Sequence, residues 1–352
     1  MKRFFTFSSF TIGFCIIAFF AIPAFPGYLI TPDQSPNANE IISEISNRNP
    51  GFSCNTIRIK LPQTEASTSW MEVWLHGRNQ TYSYKPISQL LKENRDSILV
   101  QEFESQSNIA FAKADLVFDG SWVSKKTFRL GTDRFGRDVL SRIILGSRVS
   151  LFTGLVSVII SLIIGVIIGM LAGYMRGNVD AFLSWLIAVF WSVPTLLIAL
   201  GLSFVFGKGL GQVLIAIGLS TWVEVARVVR GQTMQLREKE FILAARITGF
   251  STFRILFKHI LPNLKATLTV LATTNFASAI LLEAGLSFLG LGIEPPAPSW
   301  GIMVKEHLGN LVLDSAYLAL IPGAAIMLLV TGFNFLSMGI RDAFDSRLDT
   351  RS

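Results

Sequence analysis

The chain has 352 residues, 51% hydrophobic and only 16% charged, where a soluble domain carries about 25% charged residues. The apolar residues fall in blocks, which excludes one large soluble core and points to several membrane spans. The net charge of +7 gathers at the ends of those blocks, so it reads as an orientation signal in a bilayer and not as a nucleic-acid surface.

The first apolar block runs from about Phe10 to Ile30, behind Lys2 and Arg3. It is near spanning length, and residues 1–30 are read as an N-terminal tail and first transmembrane helix. A cleaved signal peptide is the competing reading, but no small-x-small cleavage site follows. Cys15 lies in this block and Cys54 beyond it in a polar stretch, which argues against a disulfide and shows no metal-ligand spacing.

Residues 31–128 are polar, with no run long enough to span. "NTIRIKLP" alternates through Ile57, Ile59 and Leu61, and "WMEVWLH" through Met71, Val73 and Leu75. Both read as half-buried strands. "PISQLLKENR" reads as a short helix opening at Pro86. The expectation is a small α+β module.

"GTDRFGRD" opens residues 129–148, where Thr132 or Asp133 can cap a helix. Val139, Leu140, Ile143 and Ile144 then face one way, with Arg137, Ser141 and Arg148 opposite. That pattern predicts an amphipathic helix on the outer membrane surface. It serves either as an interfacial anchor or as an outer gate braced by Asp133, Arg137, Asp138 and Arg142.

Five more apolar blocks follow, at roughly 149–174, 180–206, 211–230, 266–291 and 313–338, for six spans in all. Gly165, Gly169 and Gly173 recur every fourth residue and make a smooth face for close helix packing, within this chain or against a second subunit. Pro194 cannot donate to the carbonyl of Phe190, so a bend is expected there, static or hinged. Glu283 sits within an apolar block, so it lines an aqueous path or hydrogen-bonds within the protein. Pro295, Pro296 and Pro298 in "EPPAPSW" stiffen the loop that follows.

The loop at 231–265 carries Arg237, Lys239, Arg246, Arg254, Lys258 and Lys265, and the 341–352 tail adds Arg341, Arg347 and Arg351. With six spans these fall on one side, together with Lys2, Arg3 and Arg176. That side is then cytoplasmic, and the 31–128 module lies outside. Within the loop, "EFILAARITGF" places Glu240, Phe241, Ala244, Ala245 and Thr248 near one helix face. Gly249 can end that helix in a left-handed conformation, and Pro262 can open the next span. The residues alone leave open whether this is a docking surface or a solvated linker.

The stretch "LAARITGFSTFRILFKHILP" resembles the cytoplasmic EAA loop of ABC importer permeases, with Ala244, Ala245, Gly249, Leu261 and Pro262 in register. Leu243 stands where that motif has glutamate, and His259 where it has isoleucine. "LGTDRFGRDVLSRIILGSRVSL" and "EAGLSFLGLGIEPPAPSWG" are similar to the C-type permease of dipeptide and oligopeptide importers, a family shared with nickel importers. The resemblance implies an ABC importer permease fold: an all-α membrane protein of six transmembrane helices, with a small extracytoplasmic α+β insertion between helices 1 and 2. The transmembrane domain would cover residues 149–340. Residues Glu240 to Gly249, Arg246 included, would form a coupling helix for a cytoplasmic ATPase.

The partners implied are a second permease subunit, two ATPase subunits and an extracytoplasmic binding protein, in a bacterial inner membrane with both termini cytoplasmic. ATP and Mg would be bound by the partners. No G-x-x-x-x-G-K-[ST] occurs here, so this chain is not expected to be an enzyme or to hold a cofactor. His76, His259 and His307 are far apart, and neither a metal site nor a catalytic residue is expected. The cargo is expected to be short peptides, with nickel or another small solute as the alternative. An ion-coupled secondary transporter and a non-transporting receptor are the rival classes.

Overall fold

A computed structural model describes residues 8–62, 69–312 and 315–344. Lys2, Arg3, Arg347 and Arg351, which entered the charge argument, lie outside the described residues. In chain order come α1 (Ser8–Ala24), β1 (Phe52–Lys60), α2 (Trp70–His76), β2 (Tyr82–Glu93), β3 (Ser97–Glu102), β4 (Asn108–Ala112) and β5 (Ser124–Phe128). The helices α3 (Val139–Met175), α4 (Gly177–Trp191), α5 (Thr195–Phe206), α6 (Leu210–Arg237) and α7 (Glu240–Ile247) follow. Then come α8 (Thr252–Arg254), a π turn (Ile255–Ile260), α9 (Leu261–Asn263), α10 (Lys265–Leu289), α11 (Trp300–Glu306) and α12 (Tyr317–Phe344). The chain divides into two compact units. One is Met1–Phe20, Ser150–Glu294 and Gly323–Ser352; the other is Ala21–Val149 and Pro295–Pro322.

In the first unit the packing is helix on helix. Among the described residues four helices are long and apolar enough to cross a membrane: α3, α6, α10 and α12. The block expected as one span at 180–206 is a pair, α4 and α5, bent by 90°. Pro194 is the cause. It offers no N–H to continue α4, and its carbonyl instead accepts from Leu197 N at 2.8 Å to start α5. Among the described residues the first apolar block forms a helix of 17 residues, about 25 Å of a roughly 30 Å hydrocarbon layer. The six-span count therefore does not follow from helix lengths alone.

Close contact holds this bundle together. A Cβ on Gly165 would stand 2.5 Å from Val225 Cβ, one on Gly169 2.6 Å from the Ala226 carbonyl, and one on Gly173 2.6 Å from the Arg230 carbonyl. The four-residue stripe thus faces α6 of the same chain, whose backbone and the side chains of Val225, Val229 and Thr233 close directly onto it. Gly13 plays the same part between α1 and α12, with Leu336 N 2.5 Å from where its Cβ would lie.

The second unit is built on an antiparallel sheet of order β4-β3-β2-β1-β5, with Ile57, Ile87, Ile98, Val100 and Leu116 in its core. Two expectations fail here. "PISQLLKENR" is strand, not helix: β2 is central, and Pro86 sits opposite Thr56 of β1. Long-range pairing with β1 and β3 overrides the helix-start signal of Pro86. "WMEVWLH" is helix α2, not strand. Only Val73 of its alternating set is buried, and neither Met71 nor Leu75 has a strand beside it to complete a pleated face.

Candidate functional site

The loop between α6 and α10 folds back on the helices it joins. Ile242 and Ala245 of α7 are buried among Tyr174, Val229, Ile255, Leu256 and Ile260. Gly249 follows at φ +80°, a left-handed conformation that needs no Cβ, with open space around it. Phe250 N then donates to the Ala245 carbonyl at 3.1 Å. Leu261 and Pro262 belong to α9, and α10 starts at Lys265, so Pro262 lies before the next long helix and not in its first turn.

What α7 leaves exposed is Glu240, Phe241, Leu243, Ala244, Arg246 and Ile247, the last at 88%. The face pairing Ala244 with Ala245 is therefore divided. Ala245 anchors the helix, and Ala244 looks out beside Ile247. Sequence reasoning missed Ile247, although its exposure follows from the same helical spacing once Ile242 and Ala245 are placed inside.

In the second unit "GTDRFGRD" makes a buried polar knot, and the helix expected after it is the start of the long α3, with its polar residues buried and not on a surface. Helix α3 begins at Val139, with Arg137, Asp138, Ser141 and Arg142 all buried. The N-cap is Asp138, which accepts from Ser141 N at 2.8 Å; Thr132 and Asp133 serve elsewhere. Asp133 Oδ1 accepts from the backbone of Phe135 and Arg137. Arg137 Nε donates to Asp133 Oδ2 at 2.6 Å, Nη1 to Asn39 at 3.1 Å and Nη2 to Glu306 at 2.9 Å. Arg142 is more loosely placed, its Nε 3.9 Å from Asp133. Gly136, at φ +75°, allows the turn, since a Cβ there would fall 1.8 Å from the Ile42 carbonyl. Burial pushes the Asp138 carboxyl up from its ordinary range, against the hydrogen bonds from Ser141.

The second half of this knot comes from far along the chain. Trp300 is fully buried, donates Nε1 to the Ile143 carbonyl at 3.0 Å and fills the space left by Gly146. Glu306 ends the helix that Trp300 begins. The two motif stretches around Arg137 and Trp300 thus meet within one unit, a juxtaposition their sequence separation conceals. Burial also holds His307 below the usual imidazole range, with Asp133 and Glu306 pulling the other way.

The first unit has an open cleft of about 450 Å³ beside the α4–α5 break, lined by Phe190, Trp191, Pro194, Thr221, Glu224 and Ser278. Glu224 and Arg227 are exposed on α6, and Arg227 lies over the Trp191 ring at 4.7 Å. Both charges were passed over in the sequence because their block was read only for hydropathy. Exposed ionisable groups on a helix of spanning length face water or protein, not lipid. Glu283 differs: it is fully buried, accepts from Ser287 at 2.8 Å and lies 3.4 Å from the Ser150 hydroxyl. Among the described residues no group of three His, Cys, Asp or Glu side chains is placed to hold a metal ion.

Residues 165–350 match the family described as binding-protein-dependent transport system inner membrane component. The chain belongs to that family. It is a multi-pass membrane protein, and the α6–α10 loop and the cleft both fall inside the matched region. Relatives include the dipeptide transport system permease protein DppC of Bacillus subtilis, 40% identical over 51% of this chain and 56% of the relative. The oligopeptide transport system permease protein OppC of Escherichia coli is 46% identical over 50% of this chain and 58% of its own. This chain spans little more than half the length of the curated relatives it matches. A solved structure, the inward-facing MetNI methionine ABC transporter, aligns at 18% identity over 57% of this chain and 96% of its own, with a TM-score of 0.48.

Proposed function

We propose that this chain is a transmembrane subunit of an ATP-driven importer of short peptides. It would work beside a second permease subunit, two cytoplasmic ATPase subunits and an extracytoplasmic binding protein, in the cytoplasmic membrane. ATP and Mg stay on the ATPases. The observation that carries the reading is the build of α7. A helix pinned by Ile242 and Ala245 yet presenting Phe241, Ala244 and Ile247 is a rigid knob with an apolar tip. Movement of a partner seated on that tip would pass directly into the core of the bundle. The peptide cargo rests on the names of relatives that share about half their length with this chain.

Six crossings complete the scheme: the four long helices, the broken pair α4 and α5 as one, and α1 as the shortest. Both termini and α7 then lie in the cytoplasm and the sheet outside, between the first two crossings. The cleft at Glu224 would belong to the path that alternates between the two sides. The knot at Asp133, Arg137 and Asp138 would fix the outer end. The test is site-directed crosslinking in membranes that express the whole complex. Ile247→Cys, in a Cys15→Ser background, is expected to capture an ATPase subunit. Ala245→Cys, which is buried, is expected to capture little. Failure of Ile247→Cys to react with any ATPase removes the coupling role.

A further inference from the structure

Among the described residues, helix α2 carries an apolar face of which Trp70, Met71 and Leu75 are left exposed. At 3.6 residues per turn, Trp70, Trp74, Met71 and Leu75 fall within an arc of about 140°. Trp70 is 68% exposed, Met71 53% and Leu75 47%, while Glu72 and His76 lie beside that arc and Val73 points inward. The exposure is not a loose segment's. Trp74 Nε1 donates to the Phe25 carbonyl at 2.6 Å, and its ring lies 5.7 Å from that of Phe25. Arg148 donates to the Trp74 carbonyl at 2.6 Å and stacks over the indole at 4.7 Å. A helix held this firmly with its apolar side outward is shaped for an apolar surface.

We infer that α2 lies in the outer headgroup layer of the bilayer and anchors the sheet-bearing unit to lipid. The occupant is set by continuity. The contact through Trp74 and Phe25 joins the α2 face to Ile22, Phe25, Leu29 and Ile30 at the end of the apolar first helix, all exposed. Helix α1 ends at Ala24, and a helix that crosses the bilayer ends at the interface, which puts its neighbour α2 at interfacial depth. Two tryptophans on one short helix suit that layer, where the ring meets acyl chains and the N–H a polar partner. Exposed Arg78 and His76 at the rim can reach lipid phosphates. The inference depends on the chain's place in a membrane and not on its cargo.

The test places nitroxide labels on the full chain, in a Cys15→Ser background, reconstituted in phosphatidylethanolamine–phosphatidylglycerol vesicles. Cys54 is buried. Labels at Met71→Cys and Leu75→Cys are expected to collide with oxygen several-fold more than with a water-soluble nickel chelate. Labels at Glu72→Cys and His76→Cys are expected to show the reverse. Nickel access at all four positions overturns the anchor. So does exclusion of both reagents at Met71→Cys, which would mean that protein covers the face. As a second reading, Trp70→Ala is expected to lower tryptophan quenching by acyl-brominated lipid, and unchanged quenching counts against the anchor.

Discussion

Two groups of charged side chains behave in opposite ways. In the knot, Arg137 and Asp133 have side chains only 4% and 2% exposed, and each of the three guanidinium nitrogens of Arg137 has its own acceptor. On α6, Glu224 and Arg227 are exposed beside an open cleft, and the contact to Arg227 is the face of Trp191. The first arrangement repays desolvation with geometry and leaves no freedom. The second leaves charge where a passing solute or a partner can meet it. Ionisable residues near a membrane are thus not one class, and which role each plays is decided by burial and partners.

The sharpest test of that contrast is Arg137→Met. It removes the nearest charged partner of buried Asp133 and of Glu306, leaving only Arg142 at 3.9 Å and Arg134 at 3.5 Å, and loss of one partner from a buried pair costs about 3–5 kcal/mol. The thermal midpoint of purified protein should fall steeply. A midpoint that stays put would erase the distinction between the two groups. Gly169→Val ranks next. Its Cβ would lie 2.6 Å from the Ala226 carbonyl, and overpacking of this kind costs about 1–3 kcal/mol. Retained stability with loss of copurifying second permease would instead turn the glycine stripe toward the partner.

Much of the bundle was legible because hydropathy needs only local sequence. The long helices, the break at Pro194 and the left-handed Gly249 each follow from a few adjacent residues. The sheet was not legible, since β2 is strand by virtue of β1 and β3, and Pro86 says nothing of them. The knot was half legible. Asp133 and Arg137 stood out in the sequence, but Glu306 did not, because their pairing spans 169 residues. The helix expected within 129–148 begins only at Val139, and its polar residues are buried for a related reason: an amphipathic pattern does not say which face is inside. Here Arg137 is buried with Asn39 and Glu306 as partners, and Ser141 with Asp138.

The knot should also carry a pH dependence. His307 is held below its ordinary value, so its neutral form is the one that favours the fold. That contribution is complete above roughly pH 6.5, the ordinary imidazole value, and is lost as pH falls through the depressed folded value. Arg134 and Arg137 favour the neutral form, and Asp133 and Glu306 oppose them. Asp138 and Glu40, raised by burial, act in the other direction, since they lose stability as pH rises. The slope due to His307 is therefore read as the difference between the wild type and His307→Gln between pH 5 and 7. No difference would mean that the ring is not kept neutral by its surroundings.

The smallest effect on stability is expected where the effect on transport is clearest. Glu224→Gln removes an exposed charge and strands no buried partner, so unfolding should shift by no more than about 0.5 kcal/mol. If Glu224 meets the solute in the cleft, the loss is that of one charge-assisted hydrogen bond, roughly 1.5 kcal/mol, or about tenfold in the uptake rate. Uptake of labelled dipeptide by the reconstituted complex, with ATPase turnover followed alongside, reads both. Slower uptake with a normal thermal midpoint places Glu224 on the path. Normal uptake with weaker copurification of the second permease would make Glu224 an interface residue. In that case the two groups of charge differ only in whether their partner lies in this chain or the next.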